Sequence, residues 1–108
     1  LQKRRLIIMV KHVILWKLKE ELTAEEKENV KAGIKEGLEG LAGKVPGLVD
    51  VKVNINGLPT STVDVMLDTT FTDADALKAY STNPLHVAVA DGKVRPYTAV
   101  RSCLDYEV

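Results

Sequence analysis

The sequence predicts an α+β domain in the order β-α-β-β-α-β, one antiparallel sheet with its helices on one face. Three observations carry this. Apolar residues alternate with period two in four separate runs. A capping box opens a stripe of apolar residues at helical spacing. A second helix start follows directly on the third strand. With 108 residues the chain has the length of one domain.

The first strand reads VKHVILWKL from Val10 to Leu18. Val10, His12, Ile14, Trp16 and Leu18 share one face, and Lys11, Val13, Leu15 and Lys17 share the other. Apolar residues on both faces predict a central strand covered on both sides. Thr23-Ala-Glu-Glu26 is a capping box, in which Thr23 accepts from the Glu26 N–H and Glu26 returns to that of Thr23. A helix to about Ala42 follows, with Val30, Ile34, Leu38, Leu41 and Val45 as its apolar stripe. Gly33, Gly37 and Gly40 fall on a stripe beside it. Interior glycines cost about 1 kcal/mol each against alanine, so they either make room for a ligand or a close backbone or are neutral drift.

Val45-Pro46-Gly47 turns the chain. Val49, Val51, Val53 and Ile55 alternate with polar residues as a second strand. Val63, Val65, Leu67, Thr69 and Phe71 form one face of a third, opposite Asp64, Met66 and Asp68. Thr72-Asp73-Ala-Asp75 starts a second helix with carboxylates against its dipole, ending near Tyr80 before Pro84. Pro84 opens a short further helix to about Ala90, with Gly92 at its end. From Thr98 to Val108 a fourth strand alternates. This is the ferredoxin-like order. Helices cover one sheet face only, and the other still bears Val13, Leu15 and Met66, which predicts a homodimer with sheet against sheet.

Composition excludes several function classes. The chain carries 15 Lys and Arg against 15 Asp and Glu, so no net field draws it to nucleic acid or an anionic membrane. No basic stripe with interleaved aromatics is present, and no run approaches the ~18 apolar residues of a membrane span. The single cysteine, Cys103, suits a reducing, cytoplasmic compartment and is expected as a small buried core residue. Leu1 to Ile8 reads as an upstream extension, with the domain running from Met9 to Val108. There is no metal-ligand spacing, no glycine-rich phosphate loop and no support for a flavin or nicotinamide site, so no cofactor is expected.

The stretch Tyr80-Ser-Thr-Asn-Pro-Leu-His86-Val-Ala-Val-Ala-Asp91 carries the chemistry worth weighing. It holds one of only two histidines, the other being His12. Met9-Val-Lys-His12 opening the first strand, Phe71 before a Thr-Asp helix start, Tyr80, and Asn83-Pro84-Leu-His86-Val with Asp91 together resemble the stress-responsive dimeric α/β-barrel family, Dabb. The resemblance runs from Met9 to the C-terminus. It implies two ferredoxin-like chains joined as a dimeric α/β barrel. Most similar proteins have no known activity, but a plant member closes a polyketide chain by an aldol condensation.

By that resemblance His86 and Tyr80 are the catalytic candidates. His12, Ile14, Trp16, Val30, Ile34 and Leu67 fall at pocket-lining positions. Val65 stands where the plant enzyme has a further histidine, and Trp16 replaces a smaller residue. Aldol chemistry needs a base and an oxyanion donor. Neutral His86 suits the first and the Tyr80 hydroxyl the second, with Asp91 the candidate to orient His86. The competing reading makes His86 and Tyr80 packing residues and His12 a satisfied core histidine. Three functions follow: binding of a small apolar carbonyl compound with cyclase or lyase activity, a non-catalytic stress or assembly protein, or a cofactor-free monooxygenase.

Overall fold

The computed structural model describes residues 8–108, so the expected upstream extension lies outside the described residues but for Ile8. The elements are β1 (Val10–Leu18), α1 (Ala24–Glu39), β2 (Leu48–Asn54), β3 (Val65–Phe71), α2 (Ala74–Thr82), α3 (Pro84–Val89) and β4 (Thr98–Glu107). A π-helical turn, Ala90–Val94, and a 3-10 turn, Arg95–Tyr97, join α3 to β4. The sheet order is β2-β3-β1-β4, all neighbours antiparallel. This is the ferredoxin-like fold.

Local chemistry sets the helix starts. Thr23 and Glu26 form the reciprocal capping box at 3.1 and 2.8 Å, and the Asp73 carboxylate accepts from the Ala76 N–H at 2.7 Å. α1 ends at Glu39, three residues short of Ala42, because Gly40 caps it and the chain tightens into turns through Gly43, whose φ is +76°. The apolar stripe continues across those turns, so Leu41 and Val45 are still buried. Gly47, at φ +82°, turns the chain into β2 where any Cβ would lie 2.4 Å from that of Ala76.

β1 and β3 alternate as their sequences read, with one face buried throughout. β2 departs from the expected face. Val49 is an unpaired bulge residue between Leu48 and Asp50 and is 50% exposed. Gly92 does not end α3. The chain stays helical past it in wider and then tighter turns.

The helices pack on β2, β3 and β1 and stop short of β4. The register pairs His12 with Asp105, Ile14 with Cys103 and Trp16 with Arg101, so these three β4 residues share the helix-side face with the core yet remain exposed. Cys103 is therefore a surface residue and not the buried one expected. The opposite face of β4 exposes Val100, Leu104 and Tyr106 beside Val13, Leu15 and Met66. At the other edge α1 closes over β2. Lys35 Nζ donates to the Val53 carbonyl at 2.7 Å, and the Glu39 carboxylate accepts from the Val53 N–H at 2.9 Å and from Lys35 at 2.9 Å.

Candidate functional site

Asn83 makes the break between α2 and α3. Its N–H donates to the Tyr80 carbonyl, and its side chain accepts from the Leu85 N–H at 2.9 Å. Pro84 then supplies the first turn of α3 without needing a donor. The chain reverses enough for His86 to stack on Tyr80, ring centroids 4.0 Å apart and planes 30° from parallel. Phe71, from the end of β3, lies 4.9 Å from Tyr80, and His12 lies 6.2 Å from it and 6.3 Å from Phe71. Four rings from four elements thus form one cluster under the helices.

Beside it is a cavity of about 170 Å³. Its apolar wall includes Ile14, Trp16, Leu38 and Leu67, with His12, Tyr80 and His86 as polar members and Arg95 and Arg101 on the β4 side. An apolar cavity of about 150 Å³ holds one benzene ring, so this one suits a molecule of about that size. Trp16 is part of the wall and leaves the space unfilled.

The polar atoms are unusual. The Tyr80 hydroxyl and His86 Nδ1 are buried with no hydrogen-bond partner. An unpaired buried polar group costs about 1–3 kcal/mol, and such groups call for an explanation. Burial pushes the Tyr80 hydroxyl up to about 12, so it stays protonated and can donate. Burial also pushes His86 below the ordinary imidazole value; the Ser81 backbone carbonyl, toward which a ring N–H can donate, opposes this, and the Arg95 charge adds to it. His86 is therefore a neutral imidazole at pH 7.

His12 is 7% exposed. Its Nδ1 meets the Asp105 carboxylate at 2.5 Å, and Thr69 Oγ1 donates to its carbonyl at 2.6 Å. Nδ1 being engaged, Nε2 is the nitrogen left for the cavity. The orienting carboxylate thus serves His12. Asp91, expected beside His86, instead pairs with Arg95 on the surface.

Of the sequence candidates, the cavity brings together His12, Ile14, Trp16, Leu67, Tyr80 and His86. It does not include Val30 or Ile34. Ile34 is fully buried in the core at 0% exposure, and Val30 lines a separate depression with Leu22, Gly33, Lys93 and Tyr97. The reason is the placement of α1, which packs mainly on β2 and sends only Leu38 to the cavity. Of the helical glycines, Gly37 has a structural reason, since a Cβ there would lie 2.8 Å from Val89 Cγ1 of α3.

Sequence reading missed Asp105, Arg95 and Arg101, and it also missed that Cys103 Sγ lies 3.7 Å from His12 Nδ1 and 3.4 Å from the Asp105 carboxylate. Residues 91 positions apart have no visible spacing. Only the β1–β4 register brings them together, and alternation within the last strand was the one available signal.

Residues 10–108 match the family described as the stress responsive A/B barrel domain, Dabb. No curated protein matches the chain. A dimeric protein of unknown function and ferredoxin-like fold from Bacteroides fragilis is 35% identical, with a TM-score of 0.87 over 93% of this chain and 96% of that one. A dimeric ferredoxin-like protein of unknown function from Thermobifida fusca is 20% identical, with a TM-score of 0.75 over 94% and 92%. A hydroxynitrile lyase from Passiflora edulis shares the fold at 15% identity, with a TM-score of 0.69 over 93% of each chain. Among the described residues, no helix is long and apolar enough to cross a membrane.

Proposed function

Because the chain belongs to the Dabb family, we propose that its cavity binds a small, largely apolar carbonyl compound and that His86 and Tyr80 act on it as a cyclase or lyase would. One observation carries this reading: two buried polar atoms without partners, Tyr80 Oη and Nδ1 of His86, belong to stacked rings in the wall of a ligand-sized cavity. Neither atom opens onto the cavity as it stands; a ketone that parts the stacked rings would accept from the Tyr80 hydroxyl and turn its α-carbon toward His86.

The division of labour follows from the two environments. His86, kept neutral, removes a proton from the carbon next to the carbonyl. Tyr80, kept protonated, donates to the enolate oxygen as its charge develops. The low-dielectric wall strengthens that hydrogen bond. His12, oriented by Asp105, is a third polar group at the same cavity. The Passiflora lyase supports the choice only in showing that this fold accommodates small-molecule lyase chemistry.

The test is titration with small aromatic ketones, with deuterium exchange of their α-protons followed by NMR. The wild-type protein should bind saturably, with exchange that persists at neutral pH and falls only below the ordinary imidazole range, as His86 protonates. His86→Ala should abolish exchange, and Tyr80→Phe should weaken binding about tenfold, the worth of one hydrogen bond. Affinity unchanged in both variants, or no saturable site in the wild type, would sink the proposal.

We also propose that the chain forms a homodimer through the sheet face opposite the helices. The supporting observation is the contiguous group of Val13, Leu15, Met66, Val100, Leu104 and Tyr106 on that face. Exposed apolar clusters of this kind usually mark an interface, and the Bacteroides and Thermobifida proteins are dimeric.

A further inference from the structure

We propose that His12, Cys103 and Asp105 form a three-ligand site for a borderline-soft divalent cation of the zinc class. The proposal does not rest on the carbonyl reading, since it uses the other ring nitrogen of His12 and two residues of β4.

The backbone fixes all three positions. His12 and Asp105 are direct partners in the β1–β4 ladder, and Cys103 is two residues before Asp105 on the same face. One imidazole nitrogen, one sulfur and one carboxylate oxygen lie within 4.8 Å of one another. The His12 ring cannot drift, because it is 7% exposed and held against Phe71 and Tyr80.

Separations can be compared with those of a tetrahedral site. Zinc bonds of about 2.3 Å to sulfur and about 2.0–2.2 Å to nitrogen and oxygen give edges of roughly 3.6 Å for N···S and S···O and roughly 3.3 Å for N···O. The structure has 3.7 Å for His12 Nδ1 to Cys103 Sγ and 3.4 Å for Cys103 Sγ to Asp105 Oδ1. Only the 2.5 Å between His12 and Asp105 must open. The Asp105 side chain is 46% exposed and can swing outward.

The donor set selects the ion. Magnesium and calcium take all-oxygen sites, whereas thiolate with imidazole and carboxylate suits zinc and cobalt. Cys103 loses its proton to solvent on coordination, as a cysteine ligand must. The fourth position faces outward, where a water completes the tetrahedron. Arg101, the next residue on that face, is a like charge whose guanidinium reaches Cys103 and favours its thiolate; being exposed, it can turn out to solvent as the ion enters. Such an ion would tie β4, which no helix covers, to the buried side of β1.

Cobalt titration of the reduced, untagged protein tests this. One equivalent per chain should give the intense near-ultraviolet thiolate-to-cobalt band, which zinc then bleaches. Zinc should also raise the melting temperature. Cys103→Ser should lose the band and weaken zinc binding by more than about 100-fold, beyond the loss seen for outer-shell partners. Cys103 is exposed, so the variant should fold. Asp105→Asn, read by zinc affinity, gives a second variant, and His86→Ala should leave the band intact. A cobalt spectrum without the thiolate band, or a spectrum and zinc affinity unchanged by Cys103→Ser, overturns the site.

Discussion

β2 and β4 both lie at an edge of the sheet, where unpaired backbone groups invite further pairing. At β2, α1 lies over the strand and its last turn reaches round it. Lys35 and Glu39 occupy the outward carbonyl and N–H of Val53, and the Val53 side chain is fully buried. At β4 the helices do not arrive. From Ala99 to Glu107 every residue is exposed, although the strand runs the whole length of β1. One edge is clamped within the chain at Val53, while the other presents polar donors on one face and apolar side chains on the other. β2 is thus anchored to the helix layer at Val53, and whatever the protein associates with has β4 available.

The sharpest way to break this comparison is a charge on the apolar face of β4. Leu104 is 64% exposed, so Leu104→Asp should shift the folding stability of a lone chain by less than about 0.5 kcal/mol. In a dimer joined by that face it buries an unpaired charge, costing on the order of 3 kcal/mol, or more than 100-fold in Kd. Sedimentation at micromolar concentration should show a folded monomer. A variant that remains dimeric places the interface elsewhere.

Val53→Ala at the clamped edge should behave oppositely, losing about 2 kcal/mol of folding stability with no effect on association at concentrations where both proteins are folded. A urea midpoint within error of wild type would show that β2 is not anchored at Val53. Glu39→Gln should cost less, about 1 kcal/mol at neutral pH. The Lys35 ammonium and the Val53 N–H hold the Glu39 carboxyl below its ordinary 4.5, so its contribution is full above that value and lost as pH falls through the lowered folded value. The gap between wild type and variant should therefore be constant at neutral pH and close in acid. A gap that widens in acid would contradict the clamp.

The smallest effect is expected from Asp91→Asn. Its pair with Arg95 is exposed, so stability should move by less than about 0.5 kcal/mol and ketone binding should be unchanged. Impaired binding would return Asp91 to the role of orienting His86.

Where one residue's neighbours are set by local spacing, the sequence was sufficient. Alternation along VKHVILWKL placed His12, Ile14 and Trp16 on one face, and Thr23 with Glu26 marked the start of α1. Asn83-Pro84 marked the break between Tyr80 and His86. What escaped depends on register or on layer edges. The bulge at Val49 flips one side chain without any residue that announces it. Cys103 has the composition of a core residue but sits where the helix layer has ended. Asp105 is one acidic residue among 15 Asp and Glu in the chain until the ladder sets it opposite His12. Val30 and Ile34 share a helical stripe with Leu38, but α1 packs mainly on β2 and takes only Leu38 to the cavity.

The close approach at Gly37 has a consequence for the cavity. Val89, which fills the space a Cβ would need, is one turn beyond His86 on α3. The height at which α3 rides above α1 is therefore gauged by a position that touches no ligand, and the imidazole rides with it. An alanine there would have to displace the Val89 side chain or lift the short helix that carries His86. The seat of His86 thus depends on a position that lies outside the cavity wall.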